Sequence, residues 1–249
     1  MMTSDNPIRL TSDASPAESS EPAMWLEGRL LPWGVGIGTR VASVVPLGFE
    51  SYARVFHPAT APGAERSIVS WDSVAQWSGA VVHPEMQWEA ISHSQHARER
   101  CPWNREPALG FCPPEVIEPL CEALDSQTSR PDTVYIAIWT GFSAVQEIIR
   151  QAPRFELPGR EYALFKAPLV ALPRIIETPF AVSHGPSLWW PADRAWVVGT
   201  EVDFRWTYVG GSDACVASVE RASVLEVLRT LPEHRGDIAG DRLNDMPQR

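Results

Sequence analysis

Residues 187–214, SLWWPADRAWVVGTEVDFRWTYVGGSDA, decide how this chain is read. From 195 to 206 the side chains alternate. Trp196, Val198, Thr200, Val202, Phe204 and Trp206 fall on one side, and Val197, Gly199, Glu201, Asp203 and Arg205 on the other. A period of two predicts a strand with one buried face and one partly polar face. The tetrapeptide PADR (191–194) reads as the turn leading in. WTYV (206–209) reads as a second short strand ended by Gly210-Gly211. Ser212 is then placed to cap a helix over SDACVASVER.

Working outward, TVYIAIWTG (133–141) is apolar on both faces and rich in β-branched and aromatic residues, which predicts a central strand covered on both sides. VASVV (41–45), ESYARVFH (50–57), IVS (68–70), EYALF (161–165) and VLEVL (224–228) read as further strands. WDSVAQWSG reads as a short helix capped by Ser70 and ended by Gly79. In PPEVIEPLCEALDSQ (113–127), Val116, Leu120 and Leu124 repeat at helical spacing, and Pro119 predicts a start or a kink. Ser143 and Gln146 form a capping box for SAVQEIIR, and PLVALPRII (168–176) reads as a short helix followed by a loop.

The expected architecture is a single α+β domain over 24–231, with a mainly antiparallel or mixed central sheet flanked by several helices. Residues 1–23 and 232–249 are rich in polar residues, Pro and Gly and are expected to be disordered tails. The second of these carries an Arg235-Gly236-Asp237 tripeptide, read as chance.

Composition narrows the function. The net charge of −10, with Lys166 the only lysine, excludes the basic face that nucleic-acid binding needs and leaves room for a basic protein partner. The four cysteines form no C-x-x-C pair, no basic-apolar leader opens the chain, and no apolar run reaches the roughly 20 residues of a membrane span. These features predict a cytoplasmic protein with reduced thiols. No metal or cofactor is called for, and the oligomeric state is not legible.

Candidate side chains are few. Arg54 can clamp an anion and His57 can move a proton near neutral pH. Tyr52 and Arg54 are predicted on one side of their strand and His57 on the other. Glu201 and Asp203, two residues apart, can divide acid and base roles. Glu89, His93 and His96 share one face if that segment is helical, a spacing suited to a transition metal, although an exposed polar face explains it better. GVGIGTR (34–40) lacks the lysine of a phosphate loop and reads as a loop or edge strand. Eleven tryptophans spread along the chain. Trp139, Trp189, Trp190 and Trp206 are the candidates to line a recognition surface, with Trp189-Trp190 the pair expected to be partly exposed.

Three patterns carry a resemblance. They are Tyr52-x-Arg54-x-x-His57-Pro58, the Trp139 strand followed by Gly141, and Thr200-Glu201-x-Asp203-Phe204 leading to Gly210-Gly211-Ser212. Over roughly 41–228 the chain resembles a family of actinobacterial proteins with no established activity, so the resemblance implies shared fold and no chemistry. The strand-helix mix is similar in style to small intracellular immunity and adaptor proteins. Two functions follow as expectations. One is a non-enzymatic protein-binding module of that kind. The other is a small-molecule hydrolase or ligand-binding protein that gathers Arg54, His57, Glu201 and Asp203 around a Trp-lined pocket.

Overall fold

The computed structural model describes residues 9–32, 34, 37–61, 63, 67–93, 101–142, 149–177 and 185–246. Among the described residues thirteen strands follow one another as β1 (Arg9–Leu10), β2 (Ser15–Pro16), β3 (Ser51–Phe56), β4 (Ala59–Thr60), β5 (Ile68–Val69), β6 (Val134–Trp139), β7 (Arg154–Leu157), β8 (Arg160–Ala167), β9 (Ile176–Glu177), β10 (Leu188–Pro191), β11 (Trp196–Gly199), β12 (Trp206–Gly211) and β13 (Glu226–Thr230). The α-helices that lie wholly among the described residues are labelled α1 (Trp71–Ser78), α2 (Trp88–Ser92), α3 (Pro114–Asp125) and α4 (Asp213–Glu220). Short 3-10 helices span Glu21–Leu26, Val41–Ser43 and Leu169–Arg174.

Nine strands form one antiparallel sheet in the order β13-β3-β12-β11-β10-β6-β8-β2, with β7 also pairing β8. The expected α+β architecture is therefore present, with 135–139 inside the sheet and, of the segment 196–204 expected beside it, only 196–199. Both faces of the sheet are buried. Against one face, Trp189, Trp196, Val198, Val55 and Ile136 pack with Val116, Leu120 and Leu124 of α3 and Val216 and Val219 of α4. Against the other, Trp190, Val197, Phe56 and Tyr208 pack with Trp71 and Val74 of α1, Trp88 of α2 and residues 23–45.

The alternation read over 195–206 holds only as far as Gly199. The backbone turns at 200–205, where Phe204 N–H bonds the Glu201 carbonyl at 3.0 Å, and β12 returns antiparallel beside β11. Trp206 and Phe204 consequently lie on the Val197 side, not with Trp196. Gly210-Gly211 are the last two residues of β12 and lie within its ladder, so the strand is two residues longer than WTYV. The expected polar face does not form, because the sheet is covered on both sides and a strand in that position must be apolar on both.

VASVV is also not a strand. Val41–Ser43 form a 3-10 turn in which Ser43 Oγ accepts the Arg40 N–H at 3.1 Å, and Val41 and Val45 are fully buried. Tertiary burial overrides β-propensity here. α3 runs through Pro119 without starting there. α1 begins and ends as its caps predict. Ser70 Oγ accepts from Ser73 N–H at 3.1 Å, and Gly79 closes in the left-handed region at φ 76°. The capping box at 143–146 lies outside the described residues.

Both tails fold back further than their composition implies. β2 pairs with Phe165 and Lys166 of β8, Ala17 N–H bonds the Leu164 carbonyl at 3.0 Å, and Glu18 pairs with Lys166. Main-chain pairing to a sheet edge needs no hydrophobic period, and it covers an edge that would otherwise be exposed. At the other end Val41 N–H bonds the His234 carbonyl, and Gly236 N–H bonds the Thr39 carbonyl. Asp241, 7% exposed, accepts from Gln87 N–H at 2.9 Å and meets His83 Nε2 at 2.9 Å. The expectation of disorder over 1–23 and 232–249 is thus corrected for residues 9–23 and 232–246. The Arg235-Gly236-Asp237 tripeptide is part of this strap. Arg235 Nη2 pairs with Asp237 Oδ2 at 2.8 Å, and a Cβ at Gly236 would lie 2.9 Å from the Tyr208 hydroxyl.

Candidate functional site

Arg54 stands opposite Tyr208 in the β3-β12 ladder, so the two side chains share a face. The Arg54 side chain is fully buried. Its guanidinium carbon lies 3.6 Å from the centroid of the Trp206 ring, 4.7 Å from Phe56 and 5.6 Å from Trp71. Nη1 donates to the Pro84 carbonyl at 2.6 Å. Among the described residues no carboxylate lies within ion-pair distance, and an aromatic cage surrounds the cation instead. Burial pushes its pKa down to about 10, and electrostatic interactions with the Tyr208 phenol and with the Asp241, Glu85 and Glu89 carboxylates oppose the fall. At neutral pH the cation persists.

His57 lies on the other face of the sheet, as its place in the strand predicts. Its Nδ1 is 2.8 Å from the Ala108 carbonyl, which can only accept, so Nδ1 carries the proton. Nε2 then accepts from Thr207 Oγ1 at 2.9 Å, and Thr207 in turn accepts from Thr200 Oγ1 at 2.7 Å. The His57 carbonyl takes the Trp71 indole N–H at 2.8 Å. Burial lowers the His57 pKa to about 4. The Arg205 and Arg54 cations act in the same direction, and the bond to Ala108 acts against it. His57 is a neutral structural junction at physiological pH.

Glu201 is 7% exposed and forms a bidentate pair with Arg160, whose Nε lies 3.1 Å from Oε2 and whose Nη2 meets Oε1. The Arg160 guanidinium sits 4.2 Å from the Trp139 ring. Gly141 is required beside it, because a Cβ there would come within 2.1 Å of the Trp139 ring. We expect Arg160→Met to cost about 3 kcal/mol by leaving a buried carboxylate uncompensated, and R160M/E201L to recover most of that loss. Urea midpoints of the three proteins check this. Equal losses in the single and double variants would count against the pair.

Asp203 is exposed in the 200–205 turn. With Glu201, Glu89, Gln87, Arg205 and Trp206 it lines a cleft of about 270 Å³. The four expected site residues thus do not converge on one pocket. Glu201 and Asp203 share this cleft with Trp206, Arg54 lies behind the Trp206 ring, and His57 is buried on the opposite face of the sheet. Trp189 and Trp190 are fully buried rather than partly exposed, because β10 is an interior strand. Trp189 packs edge-on against Trp196 at 5.2 Å, and Trp190 lies 6.1 Å from Tyr135. α2 ends at Ser92, so Glu89 and His93 do not continue along a helix toward 96. Glu89 meets Arg205 at 3.6 Å and His93 Nδ1 meets the Glu89 carbonyl at 3.0 Å, while His96 lies outside the described residues.

The sequence reading did not single out a second concave surface. α3 and the Leu169–Arg174 turn enclose an open groove of about 660 Å³. Glu118, Glu122 and Asp125 line it from α3, and Leu169, Val170, Pro173 and Arg174 line it from the turn. Val170 is 86% exposed, the most exposed large apolar side chain among the described residues. The signal was present in the sequence as carboxylates at i, i+4 and i+7 on the outer face of an otherwise apolar-periodic helix. Nothing local marked what packs beside them. Cys121 also borders the groove, and burial pushes its thiol well above the ordinary range, so it is inert there.

Fold and surface together define an α+β protein built on a nine-stranded antiparallel sheet, with one polar cleft and one acidic-apolar groove. Comparisons of the chain with protein-family models, with curated proteins and with solved structures find no match. No helix among the described residues is long and apolar enough to cross a membrane.

Proposed function

We propose that this is a non-catalytic protein-binding module of adaptor or immunity type, acting in the cytoplasm on a basic partner. The observation that carries the reading is the groove between α3 and the 169–174 turn. Three carboxylates and one arginine, Arg174, line it together with an exposed valine, which pairs a net attraction for a cation with apolar surface that gains by being covered. Three of the four side chains that a catalytic reading enlists are engaged otherwise, and Asp203 alone stands exposed at the cleft. Arg54 is caged by aromatics, His57 is held neutral between Ala108 and Thr207, and Glu201 is clamped by Arg160. Four unpaired thiols, three of them buried, support a reducing compartment.

Native mass spectrometry of the protein gently purified from its own cells tests the reading. A basic protein should accompany it at fixed stoichiometry. The variant E118K/E122K/D125K alters side chains at the groove rim and should unfold within about 1.5 kcal/mol of the parent. It should nevertheless lose that partner, with affinity reduced at least about tenfold. A partner that stays bound to the triple variant places the interface elsewhere, and a protein that emerges alone overturns the proposal.

A further inference from the structure

We infer that the occupant of this groove is a basic amphipathic α-helix of the partner chain. The inference rests on the binding-module reading and adds the form of the ligand.

Both walls of the groove are helical, so their main-chain groups are spent internally. In the 169–174 turn, Ala171 N–H bonds the Pro168 carbonyl at 3.0 Å and Ile175 N–H bonds the Leu172 carbonyl at 3.2 Å. α3 is a continuous helix of 12 residues. An extended segment laid between them would bury amides that find no ladder to join, because strand addition needs a free sheet edge. A helix arrives with its own amides already paired.

The spacing of the charges fits the same form. Glu118, Glu122 and Asp125 stand at i, i+4 and i+7 on α3. They make one stripe running about 10 Å along the axis at 1.5 Å per residue. A second helix lying along α3 meets that stripe with arginine or lysine at the same spacing, and its neighbouring apolar side chains reach Val170 and Pro173. A second copy of this chain is a poor occupant. Each copy carries a net charge of −10, and bringing two together at an acidic groove sets like charges against each other.

The probe is an alanine-rich 15-residue peptide with arginines at its fourth, eighth and eleventh positions and leucines at its seventh and fourteenth. A control peptide of identical charge has a central alanine replaced by proline. Fluorescence anisotropy measures affinity, and circular dichroism measures helix gained on mixing. The helical peptide is expected to bind at least about tenfold more tightly than the control. It should gain helicity on binding and lose at least tenfold in affinity toward E118K/E122K/D125K. Equal affinity of the two peptides overturns the helix inference, as does no binding by either at about 1 mM. The two claims fail separately. If the cellular partner is lost from the triple variant while the helical peptide shows no advantage, the binding module stands and the helix does not. If the partner survives the triple variant, the groove itself is refuted.

Discussion

Lowering the pH from 8 to 4 is expected to remove about 3 kcal/mol of stability through His57 alone. In the unfolded chain this imidazole titrates near its ordinary value of about 6.5. In the folded protein burial holds it down to about 4. Above the unfolded value both states are neutral and the group contributes no slope. Between the two values the unfolded chain binds a proton that the folded chain refuses, so stability falls as pH falls, by about 1.4 kcal/mol per pH unit. The loss is complete once pH drops below the folded value. His57→Gln keeps a donor for the Ala108 carbonyl and an acceptor for Thr207 while removing the titration. We expect it to be less stable at pH 8 and to lose this slope. Urea midpoints at pH 8, 6 and 4.5 decide the matter. Equal slopes between pH 8 and 6 and on to 4.5 in parent and variant would show that His57 is not the titrating group.

Replacing Arg54 separates shape from charge. Arg54→Ala removes a fully buried side chain from among Phe56, Trp71 and Trp206 and should cost about 3–5 kcal/mol, as large core truncations do. Arg54→Met keeps the length and most of the volume and discards a desolvated cation that no nearby carboxylate offsets among the described residues. Relief of that burial, about 1–4 kcal/mol, is set against the lost contact with Trp206 and an unbonded Pro84 carbonyl, about 1–3 kcal/mol. The methionine variant should therefore lie close to the parent and far above the alanine variant. Denaturant midpoints at pH 7 give the order. A methionine variant as damaged as the alanine variant would mean that the guanidinium charge itself holds this face together.

Both results turn on how a strand disposes its side chains. In ESYARVFH the period of two places Tyr52 and Arg54 on one face and His57 on the other, and the structure keeps that arrangement. Which face counts as polar is a different matter. Covering the sheet on both sides turns Arg54 and His57 from prospective reagents into buried fixtures, one packed among π faces and bonded to the Pro84 carbonyl, the other held between the Ala108 carbonyl and the Thr207 hydroxyl. The same covering explains why Trp189 and Trp190 are both hidden, each in a different half of the core. Glu201 was legible as a carboxylate on a strand near Asp203. Its partner Arg160 lies 41 residues earlier, on a strand that reaches it only through the sheet.

Local sequence by itself determined the elements whose signals are local. Caps at Ser70, Gly79 and Ser212, helical spacing in 114–125 and continuous apolar β-branched runs in 134–139 each act through bonds or faces within a few residues. Tertiary structure alone decided where the alternating run 195–206 breaks into a hairpin, that Val41–Ser43 coil into a 3-10 turn, and that the polar tails bind the sheet edge and the strap site. It also decided that α3 and the 169–174 turn leave a groove between them. The hairpin pairs neighbouring segments, and it is the cover on both faces of the sheet that lets its turn interrupt the alternation. The other three outcomes depend on main-chain pairing or packing between segments far apart in the chain, and such contacts leave no period in the sequence of either partner.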